Sequence, residues 1–298
     1  MEKEKIIYKT VTLAYFSGTG GTKMVADCFF DQFTELGIIA KKINIGKSVP
    51  YEPKSSDLLL IFSPVYAFRL SSIVEKWVSN LPKTLGKSVA LFSVSGAGEI
   101  SPNTACRTYC KNILRKKGYD FIYEKMLIMP SNIAIQAEEQ MNFDLLNVLP
   151  LKTKQIIKDI QSGNKNITRP LLQDRFLPFL GRGEHLGARF FGASIHASNA
   201  CNHCGLCIQN CPQKNIHMNN NTPKFGFRCV WCLKCIYACP YNALSPRLAK
   251  FTIFKDGYNI YKLKKLASQN SKEITYNSTR NFLWQGVIDY LNESSTKL

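Results

Sequence analysis

The stretch CNHCGLCIQNCP, residues 201–212, places four thiols at gaps of two, two and three residues and ends in a proline. A second stretch, CVWCLKCIYACP at residues 229–240, repeats the spacing and the closing proline. The thiols belong to Cys201, Cys204, Cys207 and Cys211, then to Cys229, Cys232, Cys235 and Cys239. Eight of the eleven cysteines of the chain lie in these two runs. Such clustering indicates metal binding rather than a disulfide framework.

The spacing is typical of a run that binds a 4Fe–4S cluster, in which three cysteines on a tight turn hold one cube. The fourth cysteine is carried into a short helix and, in proteins with two clusters, binds the other cube. We therefore expect cluster 1 on Cys201, Cys204, Cys207 and Cys239, and cluster 2 on Cys229, Cys232, Cys235 and Cys211. Zinc is the alternative, but zinc sites usually pair two C-x2-C knuckles without a third cysteine in each.

The formal net charge is +18, and most of the excess lies in the second half. Residues 1–162 hold 21 basic and 15 acidic residues, whereas residues 163–298 hold 18 basic and 6 acidic ones. A solvated basic surface, a nucleic-acid surface and compensation for bound anionic clusters are three interpretations of this excess. No nucleic-acid-binding motif accompanies the charge, so we expect no nucleic-acid partner.

The length of 298 residues suits about two domains, and the composition, 45% hydrophobic and 20% charged, is that of a globular protein. No apolar run approaches the ~20 residues that a membrane span requires. The first residues, MEKEKIIYKTVTLAYF, include acidic residues and Lys9 and lack the pattern of a signal peptide. We expect a cytoplasmic protein without a membrane span.

Strand and helix patterns alternate over the first 160 residues. We predict strands at 11–16, 38–45, 57–63, 88–95 and within 121–128, with helices near 25–36, 71–80, 103–117 and 142–161. The run DLLLIFS (57–63) is continuously apolar, as is typical of a central parallel strand. Together these patterns predict an α/β doubly wound, five-stranded parallel sheet over residues 1–162.

The remaining residues divide into three predicted segments. Residues 163–197 are a connector that packs partly through Phe176, Phe179 and Phe190, and residues 198–247 form the cysteine-rich domain. Residues 248–298 are a tail with a closing helix near 281–291. This helix places four apolar side chains on one face, those of Trp284, Val287, Ile288 and Leu291.

A glycine-rich loop, FSGTGGTKM (16–24), follows the first strand and opens the first helix. Glycines let a backbone approach an anion, and a helix N-terminus offers free N–H groups, so the loop is suited to a phosphate. It does not match the dinucleotide pattern, since Lys23 stands where the last glycine would be. Two GKS triplets, at 46–48 and 86–88, lack the upstream glycine of a Walker loop.

Two further loops follow later strands, SPVYAF (63–68) and SVSGAGE (93–99). In a sheet of order 2-1-3-4-5, such loops meet at the switch point where FMN binds. The expected FMN-binding residues are Ser17, Gly18, Thr19, Gly20, Gly21, Thr22, Ser63, Pro64, Val65, Tyr66, Ser95, Gly96 and Gly98.

Residues 8–162 resemble a flavodoxin domain through SGTGGT, SPVY and SVSGAG, and residues 198–247 resemble a bacterial ferredoxin with two 4Fe–4S clusters. The whole chain resembles the flavodoxin–ferredoxin fusion proteins of anaerobic bacteria. The resemblance implies a flavodoxin-like sheet followed by a small α+β ferredoxin-like domain, and FMN stacked on an aromatic such as Tyr66 or Phe68.

The function implied is electron transfer, with single electrons passing between two clusters and FMN in an anaerobic redox pathway. One alternative is a reductase that acts on a small molecule at the flavin and is fed through the clusters. Another is a ferredoxin-type or sensor protein whose flavodoxin-like domain holds no flavin. No catalytic residues are expected, and the expected partner is a redox protein with an acidic docking surface.

Overall fold

The computed structural model describes residues 7–47, 50–66, 68–172, 174, 177–270 and 284–295. Of residues 177–185, 294 and 295 it describes the backbone alone.

The first half of the chain forms a sheet of six strands. They are β1 (Thr10–Tyr15), β2 (Ile39–Asn44), β3 (Leu58–Tyr66), β4 (Arg69–Leu70), β5 (Lys87–Ser95) and β6 (Tyr119–Ile128). The order is β2-β1-β3-β5-β6, all parallel, with β4 antiparallel to β3. Among the parallel strands this is the predicted 2-1-3-4-5 order, so the flavodoxin-like fold class is confirmed and the count differs only by β4.

Helices cover both faces of this sheet. The α-helices among the described residues are α1 (Gly21–Glu35), α2 (Ser72–Asn80), α3 (Thr108–Lys116), α4 (Glu139–Gln161), α5 (Leu177–Ser194), α6 (Leu206–Asn210), α7 (Lys234–Tyr237), α8 (Ile260–Ala267) and α9 (Gln285–Ser295). One core lies between the sheet and α1, α4, α8 and α9, and the other between the sheet and α2 and α3. The run Leu58–Phe62 is fully buried, which explains its continuous apolar sequence.

The cysteine-rich segment has its own small core. Strand β7 (Ile195–Ala197) pairs antiparallel with β10 (Leu244–Pro246), and β8 (Ile216–Asn219) pairs with β9 (Thr222–Phe225). The core side chains are Phe191, Ile195, Leu233, Ile236 and Leu244. Two short helices, α6 and α7, pack together between these strands. The predicted small α+β domain is therefore present.

The second half of the segment predicted as a connector is the helix α5, and no helix was predicted there. The glycines, arginines and proline of this segment interrupt the apolar spacing from which a helix is predicted. One of the glycines has a packing reason, since a Cβ added at Gly192 would lie 2.1 Å from the Cβ of Cys229. Phe190 is 57% exposed, and the buried aromatic is its neighbour Phe191, which packs on Trp231. Phe176 and the side chain of Phe179 lie outside the described residues.

The tail closes over the first half, as predicted. Val287, Ile288 and Leu291 of α9 are buried in the main core, and Trp284 is partly buried against it. Helix α8 was not predicted. It begins at a cap in which the side chain of Asn259 accepts hydrogen bonds from two backbone amides, and it packs against α4.

A buried ionic network ties β6 to α3. The carboxylate of Glu124 accepts hydrogen bonds from Arg107 Nε at 2.9 Å, Lys111 Nζ at 2.5 Å and the Thr168 amide at 2.9 Å. Arg107 also pairs with Glu99, which belongs to the loop after β5. Both Arg107 and Glu124 are only 1% exposed. Removal of the Glu124 charge would leave the two cations, Arg107 and Lys111, with Glu99 as the one carboxylate that pairs with either of them among the described residues.

The substitution Glu124→Gln is expected to lower the free energy of unfolding by about 3 kcal/mol, because it leaves buried positive charge uncompensated. The control is Asp120→Asn on the same strand, whose ion pair with Lys165 is exposed and is worth less than about 1 kcal/mol. Urea unfolding followed by far-ultraviolet circular dichroism measures both. Equal destabilisation by the two variants would contradict a stabilising role for the network.

Candidate functional site

The cysteines expected to hold cluster 1 line one cavity. Cys201, Cys204 and Cys207 come from the first run, and Cys239 comes from the end of the second. The space has an empty volume of about 350 Å³, part of it open to solvent. Cys204 is exposed and the other three are half-buried. We call this space the outer cavity.

The cysteines expected to hold cluster 2 line a second cavity, the inner cavity. Cys229, Cys232 and Cys235 are joined there by Cys211 from the end of the first run. The empty volume is about 430 Å³. Cys232 is buried and the other three are half-buried. Each cavity thus gathers three cysteines of one run and the last of the other, and the assignment of ligands to two clusters stays a prediction.

Local backbone geometry explains this exchange. Helix α6 follows Gly205 and α7 follows Leu233, and both residues adopt the left-handed conformation, with φ of 72° and 57°. Each turn sends the chain into a short helix that carries the last cysteine away from its own run. Among the described residues, no group of three or more His, Cys, Asp and Glu side chains is arranged for a single metal ion. The cysteines instead surround spaces, as a cube of several atoms requires.

Backbone amides point at several of the sulfurs. The amides of Asn215, Trp231 and Ala243 donate to Cys211 Sγ at 3.3 Å, Cys229 Sγ at 3.4 Å and Cys239 Sγ at 3.4 Å. Hydrogen bonds to cluster-bound sulfur stabilise the more negative, reduced state and so raise its reduction potential.

Burial raises the pKa of the Cys232 thiol to about 12 and raises that of Cys229 and Cys235 as well. A thiol with such a pKa is protonated at neutral pH. Insertion of a cluster into the inner cavity must therefore release protons, since the ligand is the thiolate.

The inner cavity lies directly against the glycine-rich loop of the first half. A Cβ added at Gly18 would stand 2.4 Å from the carbonyl oxygen of Cys232 and 2.7 Å from the hydroxyl of Tyr66. Burial, followed by the nearby sulfurs of Cys232 and Cys229, raises the pKa of Tyr66 well above its ordinary value, so its hydroxyl stays protonated.

The loop itself is ordered by side chains but is covered on one side. The Gly20 amide donates to Ser17 Oγ at 3.1 Å, and Thr19 Oγ1 accepts from Asn132 at 2.7 Å. Ile260 of α8 is fully buried and packs on the start of α1. A Cβ added at Gly20 would lie 2.9 Å from Ile260 Cγ2, and a Cβ added at Gly21 would lie 3.6 Å from Ile260 Cδ1. Thr22 is buried. The loop is therefore open toward Ser17–Gly20.

The two later loops are placed differently from the expectation. Ser63 and Pro64 belong to strand β3 and pair with β5, and Val65 and Tyr66 pair with β4. Ser63 is fully buried, and its hydroxyl accepts from the Ser71 amide. They are strand residues and not a loop, because β3 continues past the parallel ladder into a hairpin.

The third loop is covered by other parts of the chain. Ser95 Oγ accepts from the Ala97 amide at 3.2 Å. A Cβ at Gly96 would lie 2.8 Å from the Cβ of Ser131, and one at Gly98 would lie 2.8 Å from the carbonyl carbon of Gly286 in α9. The assignment of these residues to an FMN site stays a prediction.

A third space, which we call the interdomain cavity, lies beside the glycine-rich loop. Its volume is about 320 Å³, at the lower end of the range of small-molecule sites, and it is partly open to solvent. It is lined from the first half by Tyr15, Ser17, Gly18, Thr19, Gly20, Lys23 and Asn44, and from the second half by Lys234, Tyr237, Ala238, Tyr258, Asn259, Ile260 and Tyr261. Hydroxyls, two lysines and several tyrosines suit an aromatic ligand that bears a phosphate, so the donor set fits FMN.

The lining residues of the second half were missed by the sequence analysis. Lys234 and Tyr237 lie inside a cysteine run, and Tyr258 and Tyr261 lie in the tail. Their sequence carries no motif for a ligand, and only the packing of the tail and of the cysteine-rich segment against the loop brings them together.

Comparisons with known proteins match the two halves of the chain separately. Residues 194–244 match the family described as 4Fe-4S dicluster domain. No match was found among curated proteins.

The solved structures similar to the first half include several flavodoxins. One is the Fusobacterium nucleatum flavodoxin bound to flavin mononucleotide, with 19% identity over 51% of this chain and 96% of that one, TM-score 0.38. An archaeal flavodoxin has 15% identity over 53% and 99%, TM-score 0.36. The two-electron reduced Megasphaera elsdenii flavodoxin has 24% identity over 40% and 85%, TM-score 0.33.

The chain thus joins a flavodoxin-like sheet, recognised from its own strand order, to a 4Fe–4S dicluster segment. Such a combination supports a role in electron transfer. Within the described part of the chain, no helix has the length and apolar character needed to span a membrane.

Two matched substitutions test the exchange of cysteines between runs. Cys211→Ser and Cys239→Ser are each expected to lower iron from about eight to about four per chain, because each removes one ligand of one cube. The iron left in Cys211→Ser should lie in the outer cavity, where Cys204 is exposed, and a chelator should remove it faster than the iron left in Cys239→Ser. If each run held its own cluster, the order of the two rates would be reversed.

Proposed function

We propose that this protein is an electron carrier with two 4Fe–4S clusters, in the outer and inner cavities, and FMN in the interdomain cavity. The observation that supports it most strongly is the position of the inner cavity. Its ligand Cys232 is buried, and the carbonyl of that residue lies against Gly18 of the glycine-rich loop. The inner cluster would therefore lie next to the loop that faces the flavin.

The arrangement favours a linear path for electrons. The outer cavity reaches the surface at Cys204, and the inner cavity is shielded between the dicluster segment and the sheet. Helices α6 and α7, which contain Cys207 and Cys235, are in contact. An external donor or acceptor would exchange electrons with cluster 1, which passes them one at a time to or from cluster 2 and the flavin site.

FMN, when bound, supplies a store of two electrons that are exchanged singly. The residues that line the interdomain cavity would hold FMN and would also keep water away from the inner cluster. Ser17 and Thr19 have hydroxyl protons to donate to a phosphate, since each oxygen accepts a hydrogen bond from within the protein. The tyrosines of the interdomain cavity provide flat apolar surfaces for a ring system.

The partner is a redox protein with an acidic docking surface, in an anaerobic pathway of the cytoplasm. Charge supports this assignment, because no Asp or Glu occurs between Glu184 and Asp256. Opposite charge on a partner accelerates its encounter with this surface. Around the outer cavity, Leu206, Met218 and Tyr241 are exposed apolar lining residues, which suit a transient protein contact.

A second candidate is a ferredoxin-type carrier whose flavodoxin-like half binds no flavin. Two observations favour it: Gly286 packs on Gly98, and Ser63 is buried. Both residues belong to stretches that were expected to contact the flavin, and in both cases the protein itself covers them. The two candidates differ in flavin content and agree in iron content.

Anaerobic purification followed by assays of iron, sulfide, zinc and flavin decides between them. The proposal predicts about eight iron atoms and about eight sulfides per chain, which is two cubes, together with one FMN after incubation with excess nucleotide. Iron without flavin would support the second candidate. Stoichiometric zinc without sulfide would contradict both.

A further inference from the structure

We propose that Lys234, a residue of the dicluster segment, binds the phosphate of the flavin nucleotide, so that the two halves of the chain hold the nucleotide jointly. This inference rests on the proposed function, because it assumes that the interdomain cavity takes FMN. It assigns the anion-binding role to a residue outside the glycine-rich loop.

The first step concerns the direction from which a phosphate can reach the loop. The start of α1 would ordinarily attract an anion through its free amides. Here the fully buried side chain of Ile260 covers Gly20 and Gly21. An anion cannot displace this apolar contact without a cost in free energy. The nucleotide must therefore meet the loop from the side of Ser17 and Thr19, which are half-buried and line the interdomain cavity.

The second step concerns charge. Two cations line the cavity, Lys23 and Lys234, and no carboxylate lines it among the described residues. Lys23 Nζ is held 2.5 Å from a carboxylate oxygen of Asp27, a carboxylate that Lys42 also contacts. Within the described part of the chain, Lys234 has no ion pair with an acidic residue. It is the cation that an incoming phosphate would pair with.

The third step concerns the other polar groups of the lining. The hydroxyl of Tyr237 donates to Asn132 O and accepts from the Phe254 amide. The hydroxyl of Tyr258 donates to Pro130 O. The Asn259 side chain caps α8. These three groups are engaged within the protein and fix the walls of the cavity, whereas Ser17, Thr19 and Lys234 keep donors for an anion.

The position of Lys234 in the sequence links phosphate binding to electron transfer. It is the residue before Cys235, a predicted ligand of the inner cluster. A phosphate on Lys234 would hold the nucleotide beside that cluster and fix the distance over which an electron moves.

The test compares FMN with riboflavin, which lacks the phosphate, in wild type, Lys234→Gln and the control Lys224→Gln. Lys224 is an exposed lysine on β9 outside the cavity lining. Anaerobic equilibrium dialysis measures the dissociation constants, and iron assays confirm intact clusters. We expect Lys234→Gln to weaken FMN binding by roughly tenfold or more, the loss of one charged hydrogen bond, and to leave riboflavin binding unchanged. Lys234→Arg should restore most of the affinity.

Three results would overturn the inference: unchanged FMN affinity in Lys234→Gln, equal weakening of FMN and riboflavin, or equal weakening by Lys224→Gln. Failure of the wild type to bind FMN would reject the flavin site itself, and the inference with it. If Lys234→Gln loses iron, footprinting of the wild type answers the same question. FMN, but not riboflavin, should protect Lys234 from acetylation and leave Lys224 reactive, and no protection would contradict the assignment.

Discussion

The contact between the carbonyl oxygen of Cys232 and the Cα of Gly18 is the constraint on which the arrangement of the molecule depends. Any side chain at position 18 would place a Cβ 2.4 Å from that oxygen. On the opposite side, Gly192 of α5 allows the Cβ of Cys229 an equally close approach. The segment that carries the inner cysteines is therefore held between two residues without side chains. This packing against two glycines places a predicted cluster at the carboxyl edge of the sheet, where α/β folds bind their ligands.

The same packing changes where a ligand can bind to the flavodoxin-like fold. The tail places Ile260 on the start of α1 and Gly286 on the loop after β5, and the dicluster segment packs against Tyr66. The strand order is that of a flavin-binding sheet, but the space available lies between the glycine-rich loop, α7 and the tail. The two halves thus share one cavity, and packing rather than diffusion would set the distance between the proposed donor and acceptor.

Local patterns predicted a large part of this structure. The spacing of the cysteines indicates the turns and short helices that gather Cys239 with the first run and Cys211 with the second. The continuous apolar run at 57–63 predicts a central strand, since its residues are buried on both faces. The parts that were missed depend on contacts between distant residues. Helix α5 contains a glycine, Gly192, that is required by a neighbour far along the chain, Cys229. Lys234 lines a cavity built by four separate segments.

The central claim is that the inner cluster lies between the outer cluster and the flavin. Anomalous diffraction at the iron edge, from crystals of the anaerobically purified protein grown with FMN, tests it directly. The account predicts one iron cluster in each cavity, with flavin density in the interdomain cavity nearer to the cluster on Cys232 than to the cluster on Cys204. A single iron cluster, or flavin density nearer to the outer cluster, would contradict it.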